Sequence, residues 1–170
     1  MTLQERFSPD NLVAAASAQT GFDDFGDDGW QVGLQVLVDG LVNEARLSPI
    51  GVEVAYADVI RALSNRLGVI DWRKKNPDVA AEQVTRPIVI VGQPRTGTTI
   101  LYDLLTQDPE LRAPLTWEVD EPCPVPQPET YHDDPRIAQI QSNIELSEQI
   151  IPGFLKFHPM GALVGHRARL

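Results

Sequence analysis

The clearest chemistry in the chain lies in one run, Gly92-Gln93-Pro94-Arg95-Thr96-Gly97-Thr98-Thr99. It has the frame of a phosphate-binding loop: Gly, four residues, Gly, then a pair of hydroxyls. The glycines permit a tight turn and leave backbone N–H groups free to point at anionic oxygens. A helix starting at Thr98 adds its unpaired first-turn donors and the positive end of its dipole. Thr98 and Thr99 add hydroxyls. Arg95 sits inside the loop, where a guanidinium can fork onto two oxygens. Loops that serve nucleoside triphosphates instead carry Lys directly after the second Gly, and here that position is Thr98. The pattern therefore suits a phosphate-type group without ordinary ATP chemistry. A bare Gly pair would read as a plain strand–helix turn; the flanking elements, Arg95 and the Thr pair turn the balance toward an anion site.

Those flanking elements follow from periodicity. Ile88-Val89-Ile90-Val91 is an unbroken β-branched run that predicts a strand buried on both faces. Ile100-Leu101-Tyr102-Asp103-Leu104-Leu105 predicts a helix that ends before Asp108-Pro109. A second strand is expected at Leu115–Trp117, then a proline-rich connector through 119–135, then a helix from Asp134-Pro135 carrying Ile137, Ile140, Ile144 and Ile151. Upstream, Ser8-Pro9-Asp10 starts a helix that stops at Gly21. Trp30, Leu34, Leu37, Leu41 and Ala45 form one helical stripe, which Ser48-Pro49 breaks. Val52, Ala55, Val59, Leu63 and Leu67 form another, expected to end near Gly68, with a more polar segment from Asp71 to about Val84.

The 170 residues carry 14 Lys+Arg against 24 Asp+Glu, a formal charge of −10. Residues 1–86 hold 8 basic and 13 acidic side chains and residues 87–170 hold 6 and 11, so the deficit is even along the chain. Such a field argues against broad nucleic-acid binding but leaves room for one small anion bound by local amides. No apolar run is long enough to span a membrane, and the first residues lack the pattern of a signal peptide. A single Cys123 excludes an internal disulfide and a multi-cysteine zinc site. A cytoplasmic location is the default these features imply.

With the loop in view, the chain resembles a known family. GQPRTGTTILYDLL resembles the 5′-phosphosulfate-binding loop of sulfotransferases that use 3′-phosphoadenosine 5′-phosphosulfate (PAPS), with its pattern P-[KR]-[ST]-G-T-[ST] ahead of a helix. TGFDDFGDDGW, NEARLSP, DPELRAPLTWE and FHPMGA are similar to segments of the actinobacterial-type branch. The resemblance implies PAPS as co-substrate and an acceptor hydroxyl on a small molecule or lipid. It implies that Gln93, Pro94, Arg95, Thr96, Gly97, Thr98 and Thr99 bind the cofactor. Arg95 would act in catalysis on the charge that grows at the leaving phosphate oxygen. Glu118 matches the place where tyrosylprotein-type relatives carry a catalytic glutamate, and so would be the general base. No metal is implied.

The expected fold class is α/β: an N-terminal helical region, residues 1–86, then the first part of a P-loop-like parallel-sheet domain, residues 87–170. The 84 residues from Pro87 onward hold only two expected strands and none of the family's 3′-phosphate grip, so the chain reads as truncated. On its own it is expected to be inactive, with a sheet edge open to oligomerisation. Two alternatives stand beside the sulfotransferase reading: another P-loop protein, such as a kinase or nucleoside triphosphatase, and a non-catalytic fragment. Asp23, Asp24, Asp27 and Asp28 read as a capped helix start and turn, since their spacing meets no calcium-loop pattern. His132, His158 and His166 lack paired metal spacing, Cys123 lacks an activating neighbour, and Trp117 reads as core.

Overall fold

The computed structural model describes residues 2–93, 96–157 and 160–163. The chain divides into two compact units, Met1–Glu82 and Gln83–Leu170.

The first unit is helical: α1 Leu3–Arg6, α2 Pro9–Thr20, α3 Gly29–Asn43 and α4 Pro49–Lys75, followed by a 3-10 turn at Pro77–Ala81. Ser8 caps α2 by accepting from the Asn11 N–H, Pro9 opens it, and Gly21 ends it at a φ of 74°. Ser48 and Pro49 open α4 in the same way. α2 packs along α4, and Phe7, Leu12, Ala16, Leu34, Val38, Val59, Leu63 and Leu67 close the core between the helices.

Two details differ from the sequence reading. Leu37 is 48% exposed, and Val38 takes its place in the core. The stripe turns through Leu34, Val38 and Leu41, the four-residue step that a 3.6-residue period demands. α4 does not stop near Gly68 but runs on to Lys75. One helical glycine costs only about 1 kcal/mol, and Arg73, Lys74 and Lys75 in the last turn favour the negative end of the dipole. Pro77 then marks the boundary.

The second unit contains α5 Thr98–Leu105, α6 Thr116–Asp120, a 3-10 turn at Pro128–Thr130, α7 Pro135–Ile150 and α8 Phe154–Phe157. Its core is Leu115, Trp117, Ile140, Ile144 and Ala162, with Tyr131, Ile137 and Leu155 packed against it. Trp117 is fully buried, while Ile151 is 56% exposed and lies outside the core. Arg136 ties the proline-rich connector to this core. It pairs with Asp134 at 2.6 Å and donates to the carbonyls of Glu121 and Pro124, each at 2.7 Å.

The expected α/β fold class is corrected here. Among the described residues there is no strand and no sheet, hence no sheet edge. The run Ile88–Val91 carries no helix, in keeping with its β-branched side chains, but a strand needs a hydrogen-bonded neighbour. Ile88, Val89 and Val91 are 60%, 74% and 89% exposed, so the expected burial on both faces is also absent. The expected second strand at Leu115–Trp117 runs instead into α6. Glu118, in the third position of that helix, reaches back to the Leu115 N–H at 2.7 Å. This side-chain bond favours a helical start over the strand propensity of three residues.

Candidate functional site

The loop is built by close approach at one end and by an uncapped helix at the other. A Cβ on Gly92 would fall 2.8 Å from Thr98 Cγ2 and 2.9 Å from Thr96 Oγ1, so any larger residue would force those threonine side chains to shift. The Thr96 hydroxyl donates to the Gln93 carbonyl at 2.6 Å and closes the turn. Gly97 precedes α5 with φ 92°, a conformation glycine adopts without strain. It offers no capping side chain, so the first-turn amides of α5 keep the donors that a Ser or Asp would have taken. Thr98 is half-buried and Thr99 exposed. Pro94 and Arg95 lie outside the described residues.

A second group of polar side chains stands beside α5. Tyr102 is one turn past Thr98 and Thr99, and long helical side chains lean back over the preceding turn. Its hydroxyl donates to the Pro114 carbonyl at 3.1 Å, which draws the segment before α6 toward α5. Glu118 follows on that segment. Its Oε2 accepts from the Leu115 N–H, and its Oε1 pairs with the Arg112 guanidinium. The pair is lopsided: the Glu118 side chain is 11% exposed and the Arg112 side chain 70%.

The Tyr131 phenol lies close enough to the Arg112–Glu118 pair to feel both charges. Burial raises its pKa, the negative Glu118 adds to the rise, and Arg112 partly offsets it. The Tyr102 phenol is likewise pushed up, by burial first and then by Asp103 and Glu118. Arg112 and Tyr102 line a cavity of about 260 Å³ with Arg86, Ile88 and Ile90.

Each site expectation can now be placed. Gln93, Thr96, Gly97, Thr98 and Thr99 form a loop with open donors, and Glu118 sits on α6 near the helix that this loop starts. Arg112, Tyr102 and Tyr131 received no role from the sequence. Their only signal is that Arg112 and Glu118 share the DPELRAPLTWE segment, six residues apart, a spacing with no periodic meaning. His158 and His166 lie outside the described residues, and His132 stacks edge-on with Tyr131 at 5.3 Å. Cys123 is half-buried.

In the first unit, Asp24 accepts from the Gly26 N–H and Asp27 from the Gly29 N–H, both as turn bonds. A larger cleft there, about 480 Å³, is lined by Asp10, Asp23, Asp24 and Asp28 with Phe25 and Trp30. Its carboxylates repel the anion that the loop attracts, so charge rather than volume separates the two. Among the described residues, no helix is long and apolar enough to cross a membrane.

Comparison with known proteins finds similarity to sulfotransferases. The profile of the sulfotransferase family matches residues 87–167. The crystal structure of sulfotransferase STF1 from Mycobacterium tuberculosis is similar over 92% of this chain and 43% of its own, with 32% identity and a TM-score of 0.74. That of sulfotransferase STF9 from Mycobacterium avium is similar over 87% of this chain and 37% of its own, with 31% identity and a TM-score of 0.70. The chain thus spans less than half the length of either solved protein. None of the curated proteins matches it.

Proposed function

The chain belongs to the sulfotransferase family, of the actinobacterial type, and from that premise we propose that it serves sulfuryl transfer from PAPS to an acceptor hydroxyl. The observation that carries the reading is the loop: Gly92 packed against Thr98, and the uncapped start of α5 behind it. Open amides at a helix start, two threonine hydroxyls and a loop arginine suit a 5′-phosphosulfate, and the missing lysine speaks against a triphosphate.

When bound, PAPS supplies an activated sulfuryl group on its 5′-phosphate. Glu118 takes the proton of the acceptor hydroxyl as the acceptor oxygen bonds to sulfur. The sulfur–oxygen bond to the phosphate breaks, and its electron pair passes to the phosphate oxygen. The amides of Thr98 and Thr99, with Arg95, hold that charge as it grows. The products are a sulfate monoester and adenosine 3′,5′-bisphosphate, with one proton left on Glu118. The remaining residues of the loop, Gln93, Pro94, Thr96 and Gly97, shape the phosphate seat. The acceptor is a small molecule or lipid bearing a hydroxyl, and the cytoplasm is where PAPS meets it in this reading.

Calorimetric titration tests the proposal. Adenosine 3′,5′-bisphosphate should bind at least tenfold more tightly than ATP, and magnesium should not help. Preference for magnesium-ATP would overturn it in favour of a kinase or triphosphatase.

A further inference from the structure

Resting on that sulfuryl-transfer reading, the geometry points to Arg112 as a donor-sensing gate: it covers Glu118 in the resting protein and leaves it to grip the sulfuryl oxygens of PAPS. Three observations carry this. First, the two partners differ in exposure, with Glu118 at 11% and Arg112 at 70%. The carboxylate is the fixed member, held at Oε2 by the Leu115 N–H at 2.7 Å. The guanidinium is the member with solvent around it and freedom to swing. On leaving, the guanidinium regains water while Glu118 keeps the Leu115 N–H, and the sulfonate contact must supply the difference for the nearly buried carboxylate.

Second, the cover falls on the atom that matters. With Oε2 tied to the Leu115 N–H, Oε1 is the oxygen left to take a proton from an acceptor, and Arg112 occupies it. Third, the segment that carries Arg112 and Glu118 is fastened to the helix that the loop starts. Tyr102 fastens the segment ahead of Glu118 to α5 through the Pro114 carbonyl at 3.1 Å. The loop at the start of α5 is about one helical turn, ~5 Å, from Tyr102. A guanidinium matches two oxygens of a sulfonate as well as two of a carboxylate.

The consequence is order. Without donor, Arg112 blocks the base. With donor, the sulfonate competes for Arg112 and a lone pair on Glu118 Oε1 is freed beside the reacting group. After Arg112 departs, the Leu115 N–H still holds Oε2 and keeps the carboxylate oriented.

The sulfonate is the one group that PAPS has and adenosine 3′,5′-bisphosphate lacks, and this sets the test. Affinities of both ligands are measured by calorimetry for the wild type, Arg112→Gln and Glu118→Gln. Arg112→Gln should weaken PAPS about tenfold, a charge-assisted fork lost, and leave the bisphosphate within twofold. Glu118→Gln should bind PAPS ~2–5-fold more tightly, because the guanidinium no longer has to leave a charged partner. A purely structural role for the pair would move both ligands together, and that result overturns the gate while leaving the phosphate-loop reading intact. Equal affinities across all three proteins overturn it as well. If neither ligand binds the wild type, the phosphate-loop reading itself fails and the gate falls with it.

Discussion

Replacing Arg136 with alanine should remove about 3–5 kcal/mol from the second unit. The side chain belongs to a residue only 8% exposed. Its Nε donates to Asp134 Oδ1 at 2.8 Å and a terminal nitrogen to Oδ2 at 2.6 Å. The other terminal nitrogen serves the Glu121 and Pro124 carbonyls, and the guanidinium stands 4.9 Å from the Trp117 ring centre. Truncation leaves Asp134, 9% exposed, as a buried carboxylate without its cation. Breaking one side of a buried pair costs about 3–5 kcal/mol, mostly from that stranded charge. The carbonyls lose a donor too, but they lie nearer the surface, where water can replace it.

The double variant Asp134→Asn, Arg136→Met removes both charges and keeps a side chain able to cap α7. It should recover at least half of the loss. Urea unfolding followed by Trp117 fluorescence measures this, with Trp30→Phe and Trp72→Phe substitutions to silence the first unit. A loss below about 1 kcal/mol for Arg136→Ala would refute the reasoning and show that the connector 121–134 is held by other contacts.

Gly92→Ala places a methyl carbon within 3 Å of Thr98 Cγ2 and Thr96 Oγ1. Overpacking of this kind costs about 1–3 kcal/mol, so bisphosphate affinity should fall roughly 5–100-fold while the melt of the first unit stays unchanged. Arg95→Ala should lower kcat by ~10²–10³ in an active sulfotransferase carrying this loop, and an effect confined to KM in steady-state kinetics would assign Arg95 to ground-state binding alone. Asp134 and Glu148 have lowered pKa values, the first from the Arg136 hydrogen bond and the second from the amides of Leu155 and Gly153. A carboxyl lowered in the native state adds stability that is complete above the ordinary value of about 4 and lost as the pH falls through the native one. Thermal melts should therefore hold from pH 7 to 5 and drop below about pH 4, and Glu148→Gln should flatten that drop.

What the sequence made legible was local. Ser8-Pro9 and Gly21 mark the ends of α2 because caps and left-handed stops act within a few residues. The tight turn at 92–97 was readable for the same reason: its glycines answer to a close approach at Gly92 and a positive φ at Gly97, both inside the turn itself. That Ile88–Val91 stays unpaired was not readable, because the run states a backbone preference while pairing depends on a neighbour that its own residues cannot specify. Leu115–Trp117 misled through side-chain type; the deciding contact was Glu118 reaching back to Leu115, a capping pattern without the usual Ser or Thr. Arg112 escaped notice because its partner lies across a turn, where no helical or strand period links them.

The central claim is that the loop before α5 seats the 5′ end of an adenosine bisphosphate. Amide chemical shifts of the 15N-labelled 170-residue chain, followed during titration with adenosine 3′,5′-bisphosphate, test it residue by residue. The account predicts saturable shifts concentrated at Gly97, Thr98 and Thr99, with smaller ones at Tyr102. Shifts confined to the acidic cleft around Phe25 and Trp30, or none up to about 1 mM ligand, would contradict it.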